Sequence, residues 1–104
     1  MTIKVYYFNY YGRAEATRMM LCKAGVPFED CSLTPEEFGK MKAEGRFEYG
    51  SVPMVELDDG TCICQEQGIN AYFACKYGFT CTDHNDIYTM QVVSECYKDY
   101  SAHV

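Results

Sequence analysis

The stretch that most restricts the fold runs from residue 54 to residue 64, MVELDDGTCIC. Asp-Gly between two apolar, β-prone runs is a strong hairpin signal, because glycine supplies the positive φ a tight reversal needs. The spacing predicts antiparallel strands over residues 54–57 and 61–64, joined by Asp58-Asp59-Gly60. Val52-Pro53 leads into the first of them. Proline donates no hydrogen bond, so it is tolerated where a strand begins or where its edge is free. Such a tight approach to a strand is also a usual home for a cis bond. In that geometry the backbone groups of Val52 face outward and can pair with an extended peptide by strand addition. A plain strand-start proline is the simpler alternative.

Upstream, residues 3–8 (IKVYYF) are β-branched and aromatic, and predict a strand buried on both faces. Asn9-Tyr10-Tyr11-Gly12 reads as a loop. Residues 13–24 (RAEATRMMLCKA) predict a helix with an apolar stripe at Ala16, Met19, Met20 and Cys22, stopped by Gly25. Residues 26–33 supply a second strand. Thr34-Pro35-Glu36-Glu37 then starts a helix, with a capping hydroxyl, proline in the first turn and acid at the positive end of the dipole. That helix runs to about Ala43 and gives way to the loop EGRFEYGS. After the hairpin, a helix from about Glu66 to Lys76 ends at Tyr77-Gly78. Residues 80–85 form a polar link, and Ile87, Met90, Val93, Tyr97 and Tyr100 mark one face of a last helix.

The order is β-α-β-α-β-β-α, then one more helix. Parallel strands require crossover helices and a hairpin adds an antiparallel pair, so the prediction is an α/β fold with a mixed four-stranded sheet. That arrangement is the thioredoxin-like architecture.

Composition narrows the partners. A formal charge of −6 over 104 residues argues against nucleic acid or an anionic membrane surface. No apolar run reaches the roughly twenty residues that span a bilayer, so membrane insertion is not expected. The strand pattern opens at Ile3, leaving no room for a leader, and the expected address is cytoplasmic. The seven cysteines contain no CxxC, and neither His84 nor His103 has zinc-ligand spacing, so no metal is expected. Their plain reading is small buried hydrophobes in a reducing compartment.

Four segments carry a resemblance: residues 6–30 (YYFNYYGRAEATRMMLCKAGVPFED), 36–42 (EEFGKMK), 51–60 (SVPMVELDDG) and 64–79 (CQEQGINAYFACKYGF). Together they resemble the glutathione-binding N-terminal domain of the cytosolic glutathione transferases, the sigma type above all. The resemblance implies a glutathione-binding domain over residues 1–79, a linker over 80–85, and the opening of an all-helical C-terminal domain over 86–104. It further implies glutathione as co-substrate, a small electrophile as second substrate, and assembly as a homodimer or as a subunit of a larger complex.

The resemblance also assigns residues. Tyr7 matches the tyrosine that activates the glutathione thiol; from the pattern alone it is one more strand aromatic. A free thiol titrates near 8.5 and is mostly protonated at neutral pH. A phenol donating to sulfur favours the thiolate, and lowering a thiol pKa by two units is worth about 2.7 kcal/mol. The thiolate then attacks the electrophile. Arg13 matches an arginine supporting that tyrosine, Lys42 a lysine at the glycyl carboxylate, Val52 and Pro53 the segment that pairs with the cysteinyl unit, and Gln65 a contact to the γ-glutamyl end. Asp99 matches an acid offered from a partner subunit, although a plain helix-surface acid is the simpler reading.

Two residues depart from the pattern. Glu66 stands where the resemblance implies a serine holding the γ-glutamyl carboxylate. Like charges about 4 Å apart repel by about 1 kcal/mol in water and about 4 kcal/mol at an effective dielectric of 20. Phe38 stands in place of a tryptophan whose N–H would reach the glycyl carboxylate. These departures favour a second reading, a catalytically silent transferase-like interaction module. A thiol-disulfide oxidoreductase is disfavoured, because the loop after the first strand holds no cysteine.

Overall fold

Alternation along the first strand sets the layers. The computed structural model describes residues 2–10 and 12–101. Tyr11 of the expected loop, and residues 102–104 with His103 in the expected helical segment, lie outside the described residues. Strand β1 (Ile3–Phe8) buries Ile3, Val5 and Tyr7 on one side and leaves Lys4, Tyr6 and Phe8 half-exposed on the other. Full burial is therefore confined to one face, not both as its composition predicts. The second face is only partly covered because a single short helix packs near it.

A short 3-10 turn (Gly12–Ala14) leads into α1 (Glu15–Lys23), followed by β2 (Phe28–Leu33), α2 (Pro35–Ala43), β3 (Met54–Glu56), β4 (Cys62–Cys64), α3 (Glu66–Lys76) and α4 (His84–Ser101). The sheet order is β2-β1-β3-β4. β1 and β2 run parallel, with Ile3 opposite Phe28 and Phe8 opposite Leu33. β3 is antiparallel to both neighbours, with Val55 opposite Val5 on one side and Ile63 on the other. This is the thioredoxin-like α/β fold that the element order predicts.

Two apolar cores form, one on each face. The larger joins Val5, Tyr7 and Val55 of the sheet to Leu21 of α1 and to Ile69 and Phe73 of α3. Leu21, Ile69 and Phe73 are completely buried, each worth about 1.5–3 kcal/mol relative to exposure. The smaller core gathers Leu33, Phe47 and Met54, with Phe8, Phe38 and Met41 packed against it.

Local signals hold where they are self-contained. Thr34 accepts from the Glu37 amide at 3.1 Å while Glu37 Oε1 accepts from the Thr34 amide at 2.9 Å, a complete capping box on α2. In the hairpin, Gly60 takes φ +91 and its amide donates to the Leu57 carbonyl at 2.9 Å. Asp59 Oδ1 accepts from the Thr61 amide at 2.9 Å, closing the turn.

Three expectations need correction. The buried side of α1 is Thr17 and Leu21, with Ala14 just before it, whereas Met19 is 63% exposed and Ala16 and Cys22 also face outward. Thr17 turns inward because its hydroxyl finds a partner on α3, which a stripe of apolar residues cannot reveal. None of the seven cysteines is buried: four are exposed and three half-buried, all as free thiols. Cys22, Cys75 and Cys96 sit on outward helix faces, and Cys62 lies on the edge strand. Finally, α4 starts at His84, inside the expected link, because Asp83 Oδ2 accepts from the amides of Asn85 at 3.0 Å and Asp86 at 3.2 Å.

The predicted apolar face of α4 is present but uncovered. Ile87, Met90, Val93, Tyr97 and Tyr100 are 43–70% exposed. Among the described residues, no helix is long and apolar enough to cross a membrane, and no group of three or more His, Cys, Asp or Glu is placed to hold a metal ion.

Candidate functional site

The end of β1 delivers Tyr7 to the floor of a cleft. Its ring belongs to the larger core and the residue is 4% exposed, but its hydroxyl lines a hollow of about 340 Å³. The Arg13 amide donates to that hydroxyl at 3.1 Å, and the hydroxyl donates to the Tyr10 hydroxyl at 3.3 Å. Gly12 makes this geometry possible. Its φ is +42, and a Cβ there would lie 2.5 Å from the Tyr7 oxygen and 2.8 Å from the Tyr10 ring.

Arg18 fixes the loop from behind. Its guanidinium lies 5.8 Å from the centre of the Tyr7 ring and donates to the carbonyls of Tyr10 at 3.0 Å and Phe8 at 3.5 Å. The same group meets Asp30 at 3.1 Å and Glu15 at 3.3 Å. Burial pushes the Tyr7 phenol above its ordinary pKa and the bond to Tyr10 adds to this, while the Arg13 amide opposes it. The phenol's proton is directed at the Tyr10 oxygen, beside the cleft that both residues line, where it can be offered instead to a sulfur or oxygen anion.

A second hollow of about 170 Å³ adjoins the first and is bounded by Ser51, Val52, Pro53 and Gln65. The two share Arg13, Glu66, Gln67 and Lys98 as common walls, so one groove runs from the Tyr7 hydroxyl to the start of β3. The Val52–Pro53 bond is cis. Gln65, at the N-cap of α3, takes φ +72. A side chain in that region is uncommon, costs about 1–3 kcal/mol, and is characteristic of functional sites. Glu66 is half-buried; desolvation pushes its carboxyl above the usual carboxylate range, and the charges of Arg13 and Lys98 partly offset this.

Of the residues singled out in the sequence, the groove brings together Tyr7, Arg13, Val52, Pro53, Gln65 and Glu66. Phe38, Lys42 and Asp99 are not among its walls. The Phe38 ring packs edge-on against Phe8 at 5.3 Å and stacks with Phe47 at 5.4 Å. The Lys42 ammonium lies 5.8 Å from the Phe38 ring centre. Asp99 is exposed on α4. Its neighbour Lys98 is the one that reaches the groove, with Ser94 and Tyr97, three positions sharing one helical face by their spacing. That spacing was readable, but nothing local said which side of α4 meets the groove. Tyr10 also lines the cleft, and in the sequence a second phenol three residues after Tyr7 is its only signal.

Fold and groove together define a thioredoxin-like domain with a cleft that reaches the cis-proline entry to β3. The profile of the family "Glutathione S-transferase, N-terminal domain" matches residues 3–74. The chain belongs to the glutathione S-transferase family. It is 45% identical to glutathione S-transferase A4 of Mus musculus over 75 residues, 71% of this chain and 33% of that one. Against S-crystallin 4 of Enteroctopus dofleini it is 32% identical over 95 residues, 91% of this chain and 43% of the other. The solved Nu-class GST of Haemonchus contortus superposes with a TM-score of 0.81 at 32% identity, covering 95% of this chain and 47% of that one. The chain thus spans less than half the length of these relatives.

Proposed function

We propose that the groove binds glutathione and that Tyr7 stabilises its thiolate for attack on a small electrophile. The observation that carries this is the Tyr7 hydroxyl itself: it is held by the Arg13 amide and opens into a groove bounded by Val52-Pro53 and Gln65. In this reading Tyr7 donates to sulfur, Arg13 positions Tyr7, the Val52 backbone and Pro53 dock the cysteinyl unit, and Gln65 meets the γ-glutamyl end. Phe38 and Lys42 flank the glycyl end through their own contact, and Asp99 serves across a dimer. Residues 1–79 form the glutathione-binding domain, 80–85 the link, and 86–104 the opening of the helical domain. The protein works in the cytoplasm as a homodimer or as a subunit of a larger complex. No metal enters this chemistry. Retention on immobilised glutathione and a conjugation assay with an aromatic electrophile test it; loss of both would end the reading.

Glu66 favours a second reading, a catalytically silent interaction module. Its half-buried carboxylate borders both hollows, where it opposes an anionic ligand. A protein that retains neither glutathione nor turnover, but associates through the uncovered α4 face, would fit this reading instead.

A further inference from the structure

The cleft contains a second phenol in direct contact with the first, and the function proposed above leaves it without a role. A phenol carries one proton. The Arg13 amide approaches the Tyr7 oxygen as a donor at 3.1 Å, so the Tyr7 proton must point elsewhere, and it points to the Tyr10 oxygen at 3.3 Å. That separation is long for an O–H···O bond, whose usual range is about 2.5–3.0 Å. The contact is therefore sufficient to aim the Tyr7 hydroxyl and weak enough to yield to a better acceptor.

Tyr10 is also free to yield. It is 60% exposed, its ring lies parallel to Phe8 at 6.5 Å and tilted against Tyr7 at 5.4 Å, and it belongs to neither core. Its ring can swing outward without opening the packed interior. A thiolate is a charged acceptor, and charge-assisted hydrogen bonds are about twice as strong as neutral ones.

We infer that Tyr10 is a positioning residue: its oxygen accepts the Tyr7 proton in the free protein and is displaced when a ligand sulfur takes its place as acceptor. The inference rests on the reading in which Tyr7 donates to a thiol. Tyr10 then has two opposed effects. It keeps Tyr7 protonated, since a hydrogen bond donated by the neutral phenol favours that form, and it competes with the incoming sulfur. The other charged groups that bear on Tyr7 are Arg18 over its ring, Arg13 beside its hydroxyl, and Glu66 and Lys98, which line the same cleft from α3 and α4. None of them accepts the proton.

The test is Tyr10→Phe, which retains the stacked ring and removes only the acceptor. Tyrosinate absorbance is titrated without ligand, and subtraction of the spectrum of Tyr7→Phe made in the same background, with or without Tyr10→Phe, isolates the Tyr7 band. Tyr7 should ionise at lower pH in Tyr10→Phe than in the unaltered protein. Calorimetry should show glutathione bound more tightly, by up to about tenfold, the weight of one weak hydrogen bond. An unmoved or upward Tyr7 titration, or weaker binding, overturns the inference. The titration needs no ligand, so it decides the role of Tyr10 even where glutathione binds neither protein, an outcome that defeats the proposed function separately.

Discussion

The Thr17 hydroxyl donates to Asn70 Oδ1 at 2.6 Å, joining α1 to α3 across 53 positions of sequence. Thr17 is wholly buried and Asn70 borders the cleft, so this bond sets the spacing between the helix entered through Arg13 and the helix that carries Glu66. Replacing Thr17 by valine retains the shape and strips Asn70 of its donor. The expected loss is about 1–3 kcal/mol, read as a lower urea midpoint with an unchanged slope. Asn70→Ala in that background should add less than it does alone, because the two act as a pair.

Gly12→Ala is expected to act on the site rather than on the core. The new methyl would meet the Tyr7 oxygen at 2.5 Å, and the backbone would hold φ +42. A left-handed alanine costs about 1–2 kcal/mol, and the contact requires Tyr7 or Tyr10 to shift as well. The Tyr7 titration band should move together with the melting temperature. A variant that melts lower while Tyr7 titrates normally would show that the hydroxyl does not depend on this close approach.

Tyr7→Phe removes the donor and little else. If the phenol lowers the thiol pKa by two units from about 8.5, the thiolate fraction and with it turnover at pH 7 should fall about 25-fold. Glutathione affinity should change far less, since the remaining walls of the groove are intact. Steady-state kinetics with one electrophile checks this, and equal losses in turnover and affinity would contradict it.

Glu66 gives the pH dependence. Desolvation raises its folded pKa above the ordinary value, with Arg13 and Lys98 opposing. Its contribution to stability is therefore full below the ordinary carboxylate pKa and is lost as pH rises through the raised folded value. Glu66→Gln holds the side chain neutral, so it should match the unaltered protein in acid and melt higher at neutral pH. Binding follows the same window. Glutathione affinity should rise as the pH falls through it in the unaltered protein and stay flat in Glu66→Gln. At neutral pH the variant should bind about five- to several-hundredfold more tightly, the repulsion removed. Identical pH profiles would mean that Glu66 does not face the ligand's carboxylate.

Much of the architecture was written in short segments. The Thr34 cap, the Asp59-Gly60 reversal and the extent of α3 stand as the residues foretold, and the Val52–Pro53 bond takes the cis form, the one of two alternatives that the residues left open. Each rests on groups within a few positions of one another, where backbone sterics and hydrogen bonding leave few choices. The same holds for part of the sheet: β1 and β2 join through the α1 crossover and run parallel, and the β3–β4 hairpin is antiparallel. The antiparallel pairing of β3 with β1, reached through α2, is set instead by long-range packing.

Tertiary structure decided what depends on residues far apart in the chain. Hydrophobic periodicity placed Met19 and Cys22 inward on α1, yet Thr17 faces the core because Asn70 waits for its hydroxyl. The cysteines are expected inside, yet six lie on the edge strands of the sheet and on outer helix faces and Cys81 lies in the link before α4, since a small apolar side chain has no preference strong enough to turn a helix. Lys98 faces the groove while Asp99 looks to solvent, one residue and about a hundred degrees of helix apart. No local rule sets the rotation of α4 about its axis, because it arises only when distant segments are packed together.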